Sequence, residues 1–598
     1  MATTSAQVQQ LYVAYLGRAA DKAGLDYWLD ELNASPATLT LEDLRANFVN
    51  EQPEYADAYA GLTRSETVSK IYLNLFGRPA DAAGLTYWTT GAGASVSADQ
   101  LLVAFINGAA TADAAVVTNK VLVSEVYTST AGANYSQADA TTIIADVDAT
   151  PASVTAALTQ LSDGSLSGIA IPAGVATLKA DAIADAAVTS YEASKVESLK
   201  ALNDKVVALN ATHSAVLTAI TDGSDTGTVA GDSYSEVVVA IANATALRTN
   251  ISASSTAQLQ LNANTAAATV ATERADLVKV SATAVADINA YNAAVTANAA
   301  LTAPTAAKVD TDTGALQGII DATTANTAAF TAASDAYVAD GGTAIADADA
   351  LYAAISTADA ATLAKIDTAF NTGVFATTYT AVKADGVAQA AKTAAEDTLA
   401  AAEVKVGTDY VNAAEASATA TKLVADAQAA DALVAEATAE TTAHQALVDA
   451  ATATQTAVDD LAFAVNATAT TTTLVGDNTK ADLFFFTNTT HVNDFAITNF
   501  NKGDAIYVGE GYTLATGVTI DTTTANNYYV GTNTGAKEVF FTQATAGGVV
   551  SAVIEGNAVG HTAGTGTTDN VTVITLTGIT SLSDVSFANG VITSSHVA

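Results

Sequence analysis

The segment LGRAADKAGLDYW at Leu16–Trp28 returns as FGRPADAAGLTYW at Phe76–Trp88, a shift of 60 positions. An internal repeat constrains the fold strongly, because both copies must fold alike and bury matching faces. The shift superposes Gly17 on Gly77, Arg18 on Arg78, Asp21 on Asp81, Gly24 on Gly84, Tyr27 on Tyr87 and Trp28 on Trp88; the last pair are the only two tryptophans in the chain. Each copy reads as helix–turn–helix. Val8, Leu11, Tyr12, Tyr15 and Leu16 recur at helical spacing, as do Ile71, Tyr72, Leu75 and Phe76. Gly17 and Gly77 fall where a left-handed residue stops a helix. Pro79 lies just past the second stop, and Asp21 and Asp81 stand where the next helix needs a cap. Arg18 and Arg78 are expected to close the turn on Asp21 and Asp81. Leu25, Tyr27, Trp28 and Leu32 are assigned to the buried side, so the Tyr–Trp pairs read as core. The other reading is a sugar platform, an exposed ring with an arginine beside it. Residues 1–135 are thus expected to form an all-α domain.

Residues 136–172 read as a linker or transition, bracketed by Pro151 and Pro172. From 173 to 465 the chain is rich in Ala and Thr and holds one proline, Pro304. Because Ala favours helix and Thr does not, periodicity decides. Val424, Ala427, Ala430, Val434, Ala437, Thr441, His444, Val448, Ala451, Gln455, Val458, Ala462 and Val465 follow steps of three and four, a narrow small-residue seam. Breaks are expected at Thr221–Ser233, Ala303–Gly314, Asp340–Gly342, Asn371–Gly373 and Ala384–Gly386. The stretch is therefore predicted to be a long helical bundle or stalk. Residues 466–598 turn to Thr, Asn, Gly and aromatics with period-two stretches, which predicts an all-β domain, sandwich or β-roll. The fold class is multidomain α+β.

The net charge is −39, so nucleic acid is not expected as a partner. Cysteine is absent, which excludes disulfides, thiolate zinc sites and a thiol nucleophile. No apolar run is long enough to span a membrane, and MATTSAQVQQLY has neither a basic nor an apolar signal region, so no cleaved leader is expected. The five histidines, His213, His444, His491, His561 and His596, fit no metal or catalytic spacing. There is no nucleophile elbow, phosphate loop or dinucleotide fingerprint, and the chain is expected not to be an enzyme. Calcium is the one cofactor considered. Oxygen-rich turns offer Asp222 and Asp225, Asp310 and Asp312, and Asp494 and Asp504 as candidates, although Asp favours turns in any case.

The two GR-x-A-D-x-A-G-L-x-Y-W copies resemble a domain found near the N-termini of large secreted bacterial surface proteins, including surface-layer proteins of Campylobacter-like bacteria. "HVNDFAITNFNKGDAIYVG" (His491–Gly509) and "ITLTGITSLSDVSFANGVI" (Ile574–Ile592) are similar to C-terminal elements of proteins exported by type I secretion. The resemblance implies a self-assembling lattice subunit on the surface of a Gram-negative cell. It implies an N-terminal domain bound to a glycan such as lipopolysaccharide, and the type I secretion machinery as a partner. The chain lacks the nonapeptide calcium repeat of many such proteins. A secreted adhesin or biofilm-matrix fibre is the alternative.

Overall fold

The computed structural model describes residues 3–36, 38–223, 229–461, 463–467, 472–486, 494–516, 519–521, 528–530, 536–555 and 571–597. The chain is mostly helical, with a C-terminal region of β-strands. It divides into two compact units, 1–248 with 430–598, and 249–429.

The first unit opens with eight helices: α1 (Ser5–Leu11), α2 (Lys22–Asn33), α3 (Leu41–Asn50), α4 (Pro53–Tyr59), α5 (Arg64–Phe76), α6 (Ala82–Thr89), α7 (Ala98–Asn107) and α8 (Thr111–Ala131). They are two runs of four. A π-helical turn, Tyr12–Leu16, extends α1 to Gly17. The repeat therefore reaches well beyond the thirteen-residue motif, since α3 and α4 have counterparts in α7 and α8. Local signals set the boundaries. Thr4, Thr40 and Thr63 each cap a helix in a reciprocal box with Gln7, Asp43 and Glu66. Pro53 opens α4 at a position whose N–H has no helical partner. One core serves both runs and contains Leu11, Tyr15, Leu44, Phe48, Ile71, Leu75, Leu101 and Phe105.

The expected linker at 136–172 is instead folded. It holds α9 (Gln137–Ala145) and α10 (Pro151–Thr159), and Ile143, Ile144, Val154, Leu158 and Leu161 join a second core with Val126 and Tyr127. Helix α8 lies between the two cores, so it is buried around most of its circumference. Beyond it come α11 (Val175–Asn210), α12 (Tyr234–Val237) and α13 (Val239–Ile251).

The second unit carries α14 (Thr256–Val280), α15 (Ala284–Ala299), α16 (Ala306–Asp321), α17 (Thr324–Ala339), α18 (Ala348–Ser356), α19 (Ala360–Phe370) and α20 (Ala376–Val406), followed by the first part of α21 (Thr408–Asp459). The stretch 173–465 is therefore not one body, and most of these helices are shorter than expected. Ser252, Ser254, Ser255 and Ser281 break what reads as one run; Ser255 caps α14 by accepting from the Gln258 N–H. Two expected breaks are corrected. Residues 306–314 are helical, because Thr305 caps α16. Ala384–Gly386 lies inside α20, where Gly386 is kept for space: a Cβ there would meet the Ile355 side chain at 2.5 Å. Leu316, Ile355, Phe370 and Tyr379 form one core of this unit, and Ile288, Tyr291, Val406 and Tyr410 another. The seam of α21 is buried at Val424, Ala427, Ala430 and Ala437. It then drifts to Ala446, Ala450, Thr454 and Val458, as a helix of 3.6 residues per turn must against a 3.5 repeat.

The strands are β1 (Ala464–Ala467), β2 (Thr473–Val475), β3 (Leu483–Phe486), β4 (Phe495–Thr498), β5 (Ala505–Tyr507), β6 (Tyr512–Leu514), β7 (Thr519–Asp521), β8 (Tyr528–Val530), β9 (Lys537–Gln543), β10 (Val550–Glu555), β11 (Val571–Thr577), β12 (Val585–Ala588) and β13 (Val591–Ser594). One sheet has the order β1-β3-β5-β13-β12 and a second the order β2-β4-β11-β10-β9-β6, while β7 and β8 pair alone. From β1 to β6 the chain alternates between the two large sheets. β1, β3 and β5 pair in parallel, with Ala464 opposite Leu483 and Leu483 opposite Ala505. Phe484, Ile506 and Ile592 of the first sheet share a core with Ile497, Val539 and Ile574 of the second. The other face of the first sheet, through Leu483, Phe485, Tyr507 and Val591, packs on Val175, Leu178 and Val458. Burial on both faces explains why these strands read as unbroken apolar runs.

Candidate functional site

The repeated motif is the constellation to assess first. Gly17 and Gly77 both have φ of 66°, the left-handed stop that glycine adopts without a Cβ penalty. Asp21 and Asp81 accept from the N–H groups of Gly24 and Gly84, each at 2.7 Å. With those carboxylates serving as caps, the arginines turn elsewhere, which corrects the expected Arg18–Asp21 and Arg78–Asp81 pairs. Arg18 forks onto Glu54 at 2.8 and 2.6 Å, and Arg78 onto Asp113 at 2.9 and 2.6 Å. Both acids lie in the first turn of the fourth helix of their run, α4 and α8. There the helix dipole also favours a carboxylate.

The aromatic groups repeat with the same fidelity. The Arg18 guanidinium lies 5.0 Å from the Tyr12 ring centre, and that of Arg78 lies 5.3 Å from Tyr72. Tyr12 meets Phe48 edge-on and Tyr72 meets Phe105 edge-on, each with centroids 5.0 Å apart. Trp28 and Trp88 pack against the same phenylalanines. Tyr27 and Tyr87 depart from the core assignment. Each touches its tryptophan edge-on, yet they are 55% and 48% exposed. The reason lies in the helix period. Leu25, Trp28, Leu29 and Leu32 hold one face, and position 27 falls outside that stripe.

The two helix stops are sealed in series. Asn74 donates from its side chain to the Ala14 carbonyl at 2.9 Å, and Lys120 donates to the Asn74 carbonyl at 2.8 Å. Burial lowers the Lys120 ammonium to about 8. Arg18 is raised: burial alone would lower it, but Glu54 and neighbouring Tyr135 outweigh burial. Arg78 is raised chiefly by its hydrogen bond to Asp113.

The calcium candidates do not converge. Asp225 lies outside the described residues, as do His491 and His561. Asp222 stands exposed in a loop. Asp310 and Asp312 sit on α16 rather than in a turn, and Lys308 pairs with Asp312 at 2.6 Å. Asp494 accepts from the Val573 N–H at 3.2 Å. Asp504 accepts from the N–H groups of Asp482 at 2.8 Å and Asn501 at 2.7 Å, and burial raises its carboxyl. Among the described residues no group of three or more His, Asp or Glu is arranged to hold a metal ion. His444 meets Glu192 at 2.8 Å beside the Tyr234 ring. No single described helix is long and apolar enough to cross a membrane.

A second feature was not read from the sequence. Helices α1, α2, α7, α8, α11 and α21 line a cavity of about 630 Å³ in the first unit, open to solvent on one side. Glu125 faces it, and burial raises that carboxyl to about 7. The signal for it is faint in the sequence, a lone glutamate in the apolar run VLVSEVY.

Comparison of the chain with protein-family models, with curated proteins and with solved structures finds no match.

Proposed function

We propose that this chain is a structural subunit of an extracellular surface layer, without catalytic activity, that self-assembles into a two-dimensional lattice on a Gram-negative cell. The observation that carries this reading is the pair Tyr27 and Tyr87. The duplicated glycines, arginines, aspartates and tryptophans each have a part in folding, whereas these two large rings are repeated and face outward. Two equivalent aromatic contacts suit a repeating glycan such as lipopolysaccharide, because sugar faces stack on exposed rings and linked contacts multiply affinity. The N-terminal helical repeat is then the anchor, and further surfaces supply lattice contacts between copies of the chain.

The alternation of β1 to β6 between two sheets, with parallel pairing inside each, favours a β-roll winding over a simple sandwich. That winding and the resemblance at 491–509 and 574–592 support export by type I secretion. Calcium remains a proposed bridge between acidic copies rather than a ligand of one described site. Electron microscopy of intact cells tests the whole. A periodic coat that disappears when the gene is deleted is the expected result, and scattered fibrils would favour an adhesin or biofilm-matrix fibre. Chelation is expected to disperse the coat; an ordered coat after chelation removes the cation from the proposal.

A further inference from the structure

The cavity beside the first repeat has two unlike walls. Leu25, Leu29, Ile106, Ile183 and Leu447 form an apolar side. Gln7, Gln10, Ser129, Ser190 and Ser194 present neutral hydrogen-bonding groups to the same space. The charged groups at its edge are mostly matched: Lys22 with Asp26 at 2.8 Å, Lys195 with Glu440 at 2.7 Å, and Lys179 with Glu510 at 2.7 Å. Glu125 is the exception. Its hydrogen-bond neighbour is the Ser5 hydroxyl, and among the described residues no basic side chain pairs with it.

The Ser5 hydroxyl alone does not offset the burial of Glu125. A carboxyl sheltered without a cation costs stability, and a neutral side chain of the same size would fill the position at no such cost. Groups held at a cost inside a cavity mark binding sites. The volume lies in the range of small-molecule pockets. An apolar wall opposite a set of hydroxyls, amides and one carboxyl matches a ring that carries C–H groups on one face and hydroxyls around its rim.

We propose that this cavity binds one hexopyranose residue, with Leu25 and Leu29 against the ring's C–H face and Glu125 bonding to its hydroxyls. The inference rests on the anchoring reading only for where the sugar comes from, the surface glycan or the medium.

The test uses the full chain and free glucose, galactose, N-acetylglucosamine and glucosamine, followed by saturation-transfer NMR and calorimetry. At least one sugar is expected to bind in the millimolar range. Ser190→Trp, which fills the cavity from an exposed helix position, is expected to weaken binding more than tenfold, and Glu125→Gln at least fivefold, with unchanged helical circular dichroism. No binding by the wild-type chain, or binding that survives Ser190→Trp, overturns the proposal. The anchoring reading is tested apart from it, by coating of cells. If Tyr27→Ala with Tyr87→Ala strips the coat while no free sugar binds, the cavity inference fails and anchoring stands. If sugar binding is lost in Ser190→Trp but the coat is intact, the site stands and its sugar comes from the medium.

Discussion

The two runs of the repeat carry the same signature in different surroundings. Arg18 is buried, and besides Glu54 it donates to the Tyr135 hydroxyl at 2.7 Å. The Arg78 side chain is 44% exposed, and Asp113 is its one acidic partner. Gly24 sits under the Tyr12 hydroxyl, whereas Gly84 meets only the Asp81 cap. The first run also forms one side of the cavity. Equal motifs therefore do unequal structural work. The first is embedded in the rest of its unit, and the second lies nearer the solvent.

The sharpest way to break this contrast is to remove each arginine. Arg78→Met removes a half-exposed arginine but leaves the buried Asp113 carboxylate without a cation, and should cost about 3–4 kcal/mol. Arg18→Met empties a buried position, but the Glu54 side chain is 35% exposed and keeps the Gln137 amide at 2.8 Å, so a loss of about 2 kcal/mol is expected. Denaturant melts of both variants check this, and equal losses would refute the difference between the two acids. Next is Glu125, in the cavity beside the first run. Its carboxyl titrates near 7 when folded, against about 4.5 otherwise. Between those values the folded chain keeps a proton that the unfolded chain has released, so stability falls as pH rises from about 4.5 to 7. Glu125→Gln should flatten that slope and add roughly 2–3 kcal/mol above pH 7, read by melts across pH.

The glycines give a smaller effect. A Cβ at Gly24 would come within 2.8 Å of the Tyr12 hydroxyl, but at Gly84 no closer than 3.2 Å to Asp81. Gly24→Ala should destabilise by about 1 kcal/mol. Gly84→Ala should be neutral or stabilise slightly, because alanine costs less entropy in a helix. Thermal melts of the two variants separate the cases. Smallest in stability are Tyr27→Ala and Tyr87→Ala, about 0.5 kcal/mol or less each. Their combined effect on attachment to cells should exceed either alone, measured as the fraction of protein released on washing.

What could be read in the sequence was what lies within one turn of its cause. The glycine stops and aspartate caps follow from chemistry over three or four positions. The arginine partners lie 36 and 35 positions away, at Glu54 and Asp113, and the nearer aspartates drew the wrong pairing because their use as caps removes them from consideration. The exposure of Tyr27 was within reach of strict counting around α2. The fold of 136–172 is signalled by Thr150 before Pro151, a cap followed by a favoured first residue, although a proline at that position also suits a boundary. The cavity has no such local sign, since its walls come from six helices.

The discontinuity of the first unit bears on timing. Val175 and Val591 lie 416 positions apart, yet they meet in one apolar cluster, and β13 joins β5 to complete that sheet. Contacts of such separation form slowly and only when both partners are free. While residues 585–594 are still held by whatever makes or carries the chain, the face of α11 at Val175 and Leu178 has no complete sheet to cover it. The unit is thus closed by its far end, and its first half stays unfinished until that end is free to pack.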